Sequence, residues 1–487
     1  MASDSPVPPK FRSRFAALGP GLLFAGAAVG VSHLVQSTRG GAEFGLAALL
    51  VVVLSCLLKW PAFRAGPLYA AATGNSLLDG YRRRGRWTLL LFAAMTLAIC
   101  FTTVAAVTMV TMGLLISLIP SLGGLLAGLG LPGAPELDVA WASLAFIGVV
   151  GVAIATGGYR LLERAMKVVM PVLAICTITA AAIAMPTILD RNWSLLPDVS
   201  TESNRSLIAA IVGWMPAPID IAVWSSLWTL AKTRTSRSRS GTREVLVDFD
   251  VGYFGTLVLA ACFVILGAAV MNGSGVAFSQ SSAEFGGQVV SLYAENLGEW
   301  TRPFVGTAAF LAMLSTTVTV ADGFPRVIAA LLAAAFGPIR STRQERDPNV
   351  VPSVIRRVLE STMDDVDKKA VQGDAVRPDR GSEGGRITYW MAFVAVAAGA
   401  GVILFRVVPQ DFKRLVDFVT ITSFLIAPVL VLFNHLCVTG PEMPESSRPG
   451  IIWRGWSWLC FLVTLVFALW YLLDLSGLLQ LESTVVG

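Results

Sequence analysis

The chain has 487 residues, of which 55% are hydrophobic and only 14% charged, and its formal net charge is +5. Water-soluble domains carry about a quarter charged residues, so this composition excludes an ordinary soluble protein. The basic residues fall in short loops between apolar runs, which excludes a nucleic-acid-binding surface.

Residues 1–18 are polar and basic and read as a cytoplasmic N-terminal tail. They lack the small-residue cleavage pattern of a secretory signal, so the apolar run that follows is expected to be a retained membrane helix. Windows of about 20 apolar residues then predict about eleven spans. These lie near 19–38, 44–63, 88–118, 139–157, 167–187, 207–230, 251–271, 302–321, 387–406, 412–436 and 453–474. Basic residues cluster on alternate sides: Lys10, Arg12 and Arg14; Arg82, Arg83, Arg84 and Arg86; Arg160, Arg164 and Lys167; Lys232, Arg234, Arg237, Arg239 and Arg243. The opposite loops 121–138 and 272–300 contain no Lys or Arg. That alternation predicts a cytoplasmic N-terminus and an external C-terminus; a multi-pass protein of the plasma (inner) membrane is expected. Residues 337–386 read as a cytoplasmic, largely disordered loop, preceded by a short helix, Pro325–Phe336, lying along the inner surface. Lys59 and Arg64 are expected to end the second span and snorkel to the inner surface. Glu43 is expected to be solvated or paired with Arg39.

Two spans are interrupted. The first runs from Gly19-Pro20-Gly21 through a small-residue stretch to Gly30, Val31, Ser32 and His33, one of only two histidines. The sixth contains Met215-Pro216-Ala217-Pro218 and then Asp220. A helix that stops inside a bilayer leaves backbone groups unpaired, and these survive only where protein, water or a solute satisfies them. Paired breaks at corresponding places in two halves point to the substrate site of a secondary transporter. The six cysteines lie in apolar spans without a CxxC pair, so neither a disulfide framework nor a zinc site is indicated. No nucleophile set or phosphate-cradling loop appears, so neither an enzyme nor a cofactor is expected.

Several stretches resemble the NRAMP family of proton-coupled divalent-metal transporters. They are Gly19-Pro20-Gly21, Ala71-Ala72-Thr73-Gly74-Asn75-Ser76-Leu77, Met215-Pro216 in the broken sixth span, and the hydroxyl-rich Ser315–Gly323 of the eighth. The resemblance implies an all-α integral membrane fold of the leucine-transporter type. Its two inverted five-helix repeats would be residues 19–187 and 207–436, with an extra helix at 453–474.

The same resemblance exposes departures. The family's Asp-Pro-Gly-Asn in the first break falls on Gly30, Val31, Ser32 and His33, so the carboxylate is missing. The family's Met-Pro-His becomes Met215-Pro216-Ala217, and its carbonyl-donating position falls on Val212. The acidic third span and the arginines of the ninth are also absent. A metal site would therefore rest on His33, Met215 and Asp220, whose imidazole and thioether suit a soft ion. Gly30, Val31, Ser32, Val212, Ala217 and Thr316 would complete the substrate-binding set. A small anion such as bicarbonate is the second reading, with half-helix N–H groups, Ser32 and a protonated His33 facing it. A non-transporting sensor acting through 337–386 is the third. Each key residue also has a structural reading: His33 as a core histidine on a carbonyl, Met215 as packing, Asp220 as a first-turn acid and Thr316 as an intrahelical donor. Apart from the lipid bilayer and a small inorganic ion as substrate, no partner is indicated, and any protein partner is unknown from sequence.

Overall fold

The computed structural model describes residues 19–128, 136–189, 191–235, 241–273, 298–337, 383–406 and 412–475, with positions 287, 290, 291 and 294. The tail 1–18 and nearly all of the predicted loop 337–386 lie outside these residues. Among them, eight helices are long and apolar enough to cross a membrane. The first span adds a bent pair, Pro20–Ala28 and Ser32–Phe44, inclined by 47°. The predicted fourth and fifth spans form one helical stretch, Glu136–Ala184, folded at Gly158, where φ is 53°. The sixth span is two short helices, Glu202–Trp214 and Ile221–Thr235. Large apolar side chains such as Leu90, Val149, Ile175, Val394 and Val466 are exposed, as a lipid-facing surface requires.

Three expectations about boundaries need correction. The second helix runs Ala47–Thr73, ten residues past the expected end, and closes at left-handed Gly74 with φ 73°. A fresh amphipathic helix then begins behind a capping box, Ser76 Oγ accepting from Asp79 N at 3.4 Å while Ser76 N donates to Asp79 Oδ2 at 2.9 Å. Lys59 thus lies midway along the span with 1% exposure and does not snorkel. Arg64 pairs at 3.0 Å with Asp250 of the seventh span, whose helix starts earlier than expected and runs Thr242–Val270, and it lies over the Trp60 ring. The eighth helix continues unbroken from Arg302 to Phe336, so Pro325 starts no separate surface helix. Just past the proline, the Arg326 side chain pairs with the Asp322 carboxylate one turn back at 2.6 Å. Arg39 pairs with Asp417 of the tenth span at 2.9 Å and with Gln36 at 3.2 Å, leaving Glu43 exposed.

The first half of the first span is held by the seventh. At its start, Gly19 N and Gly21 N donate to the two carboxylate oxygens of Asp248 at 2.9 and 3.1 Å. An acid here satisfies the orphan donors of a helix N-terminus and complements its dipole. Gly21 and Gly252 pack backbone to backbone, so a Cβ on either has no room. Phe24 then inserts among Phe63, Phe249 and Tyr253, with ring centroids 5.4, 5.1 and 5.5 Å away. Asp248→Ala is expected to destabilise the protein by about 1–3 kcal/mol through the lost cap. Thermal unfolding in detergent measures this, and an unchanged midpoint would show the cap to be idle.

Candidate functional site

The first break spans Val29 to Val31. Gly30 N bonds Ala28 O at 3.0 Å, and the chain re-enters as a π-helical turn, Ser32–Ser37. Gly26 O thereby loses its usual donor, Gly30 N, and receives instead the hydroxyls of Thr316 at 3.0 Å and Ser315 at 3.2 Å. The hydroxyl-rich eighth span thus repairs the backbone that the break exposes. Gly30 is fixed by this contact, because a Cβ there would fall into the Thr316 side chain. The new turn consumes donors: His33 N and Leu34 N both bond Gly30 O, at 3.1 and 2.8 Å.

His33 is fully buried, and its ring is committed on both sides. Nε2 faces the Thr256 carbonyl of the seventh span at 3.0 Å, and a carbonyl only accepts, so that nitrogen carries a proton. Nδ1 lies 2.7 Å from Ser32 Oγ, which itself sits 2.5 Å from Ala28 O. Met215, also fully buried, packs with Phe44, Val52, Ile208 and Ile211, and its sulfur accepts from Ser37 Oγ at 3.5 Å. Imidazole and thioether are therefore each engaged with protein, not gathered around a shared void.

What does line the void is Asp220. A cavity of about 20 Å³ lies between the breaks, bordered by Ala28, Val31, Ser32, Thr103, Asp220, Trp224 and Thr316 among others. That volume holds one water-sized particle. A second, of about 10 Å³, shares Ile99, Pro218 and Asp220 and reaches Thr96 and Ser423. Asp220 is 5% exposed, and its Oδ1 has no hydrogen-bond partner. Thr96 Oγ1, Thr103 Oγ1 and Trp224 Nε1 are likewise buried and unpartnered. Buried polar atoms are nearly always satisfied, so four orphans around two adjoining voids mark a place where a ligand or water belongs.

Of the nine residues expected at the site, Val31, Ser32, Asp220 and Thr316 line this cavity, whereas Gly30, His33, Val212, Met215 and Ala217 do not. Among the described residues no group of three His, Cys, Asp or Glu side chains is placed to hold a metal. Thr96 and Thr103 were missed because they are two of many hydroxyls in an apolar third span. The carboxylate of Asp322 was missed too. It accepts from Arg326, from Trp228 Nε1 at 3.1 Å and from Tyr389 OH at 3.0 Å, so the sixth, eighth and ninth spans meet on it.

Residues 21–335 match the Nramp family, described as natural resistance-associated macrophage protein-like. The chain belongs to the NRAMP family. Its members are transporters, so this chain is a membrane transporter and not an enzyme. An uncharacterized protein of Pasteurella multocida is 34% identical over 331 residues, 67% of this chain and 73% of that one. The divalent metal cation transporter MntH of Brucella suis is 26% identical over 363 residues, 72% of this chain and 74% of its own. Among solved structures, a manganese transporter of Eremococcus coleocola superposes with a TM-score of 0.64 at 15% identity, covering 96% of this chain and 88% of that one. MhsT, solved with L-phenylalanine, gives 0.55 at 14% identity over 95% and 98%. At those identities the likeness establishes the leucine-transporter-like fold.

Proposed function

We propose that this NRAMP protein is a secondary transporter of a divalent metal cation, bound at Asp220 between the two broken spans. The observation that carries the reading is the cavity's only carboxylate, buried with an oxygen that no protein group satisfies. An unpaired buried carboxylate is costly, and a cation is its natural complement. The same group repels an anion, and the N–H groups of His33 and Leu34 that an anion would use are already bonded to Gly30. Bicarbonate is thus the poorer ligand. The oxygens around the void, from Asp220, Thr103 and Ser32, favour a hard ion such as Mn²⁺ or Mg²⁺ over the softer ions that imidazole and thioether would select.

In this reading His33 holds the re-entry turn against the seventh span, and Thr316 holds the break open. The two five-helix repeats are residues 19–187 and 207–436, with the N-terminus cytoplasmic as the basic loops direct. Alternating access then moves one repeat element against another around a fixed site. MntH relatives, described as divalent metal cation transporters, support the same class. The test is uptake into proteoliposomes of Mn²⁺, Mg²⁺ and Zn²⁺ beside H¹⁴CO₃⁻. Saturable Mn²⁺ or Mg²⁺ entry is expected. Saturable bicarbonate entry with silent metals would overturn the reading.

A further inference from the structure

One buried cation plays no part in the site above. Lys59 Nζ donates to the Val212 carbonyl at 2.5 Å. That carbonyl is orphaned for a reason written in the sequence. Its helical donor would be residue 216, and Pro216 has no N–H. The half-helix Glu202–Trp214 therefore ends with its negative dipole end toward a lysine of the second span.

The titratable groups facing Nζ are two thiols: Cys56, one turn back on its own helix, and Cys460 of the last span. The seventh span brings Tyr253, whose hydroxyl donates to the Cys56 carbonyl at 2.6 Å. The sixth span brings only the carbonyl. Among the described residues no carboxylate pairs with Lys59. An ammonium carries three N–H donors and finds one acceptor here, while a neutral amine is content with that one. The same geometry thus houses both protonation states. Intramembrane ionisable groups held this way mark ion or proton pathways. In transporters built on broken helices, unwound carbonyls and half-helix C-terminal ends coordinate the coupling cation.

We propose that Lys59 is the coupling site of this transporter, a tethered cation that gains and loses a proton in each cycle where other transporters exchange a free ion. The amine takes a proton from water on one side of the membrane and the ammonium returns it to water on the other. No other atom is exchanged, and the Val212 bond persists through one N–H. The inference rests on the transporter reading but not on which metal is carried.

The test reconstitutes wild type, Lys59→Met and Lys59→Arg in liposomes with a pH dye inside and Mn²⁺ outside. Wild type is expected to acidify the lumen as Mn²⁺ enters and to take up Mn²⁺ several-fold faster from an acidic exterior. Mn²⁺ entry through Lys59→Met, whatever its rate, is expected to leave luminal pH unchanged. Lys59→Arg keeps a donor for Val212 but does not deprotonate, and it too should move no protons. Metal-linked acidification persisting in Lys59→Met overturns the proposal. A second measurement needs no metal: melting midpoints of the purified full chain across pH. A proton exchanged at Lys59 in the folded state makes the difference between wild type and Lys59→Met vary with pH. A constant difference overturns the proposal. A varying difference with silent Mn²⁺ uptake supports the proton site and counts against the metal reading alone.

Discussion

Asp220→Asn is expected to lower Mn²⁺ uptake at subsaturating metal by about a hundredfold, close to 2.7 kcal/mol of binding free energy. The substitution keeps the size of the side chain and removes the only charge in the cavity. A divalent ion loses its one anionic ligand, and hydroxyl oxygens do not replace it. Stability should move the other way or not at all. A buried carboxylate oxygen without a partner costs desolvation energy, and the amide relieves that cost. Falling transport with a steady or raised melting midpoint is the signature that separates a ligand from a structural acid. His33→Gln supplies the contrast. It removes the tie to Thr256, worth about 1 kcal/mol, so it should lower the midpoint while leaving measurable uptake. If Asp220→Asn transports like wild type and His33→Gln does not, the metal site belongs to the histidine.

That contrast locates the limit of the sequence. The two breaks were legible because glycine, proline and a polar side chain interrupted runs that otherwise demanded continuous helix. The long spans were legible for the complementary reason, that apolar length is set by bilayer thickness. Side-chain direction was not legible. His33 sits in the re-entry turn, yet the π-helical winding of Ser32–Ser37 carries its ring to Thr256. Met215 lies one residue before Pro216, yet its sulfur turns toward Ser37. Both orientations depend on neighbours more than a hundred residues away, and no local period encodes them.

Lys59 shows the same limit with a signal left unused. An apolar window placed it near a helix end, where snorkelling is the ordinary outcome. Proline four positions after Val212, however, guarantees a carbonyl without a helical donor. A carbonyl orphaned in this way and a lysine within an apolar span are both visible in the sequence, and together they mark the pair. Asp248 offers a parallel case. Gly19-Pro20-Gly21 announces a helix start, and a start buried among other helices needs an acceptor, which the seventh span provides.

The break in the first span is itself open to a test, through Gly30→Ala. A Cβ at this position would overlap the Thr316 side chain, so Thr316 must turn away and surrender its bond to Gly26 O. Overpacking of this kind costs about 1–3 kcal/mol, and the turned threonine also narrows the cavity beside Asp220. Gly30→Ala should therefore lower both the melting midpoint and Mn²⁺ uptake. Thr316→Ala alone should be milder, because Ser315 Oγ, whose hydrogen is shared between Ala312 O at 2.8 Å and Gly26 O at 3.2 Å, can turn to Gly26 O. The double variant decides between two causes. If the clash with Thr316 is responsible, combining the changes restores much of the lost stability, and the cycle shows a coupling well above the scatter of about 0.5 kcal/mol seen for independent sites. If the two losses simply add, the glycine is required by its own backbone and not by the threonine. The hold of the eighth span on the break would then rest on the hydroxyl bonds to Gly26 O alone and not on the fit of Gly30 against Thr316.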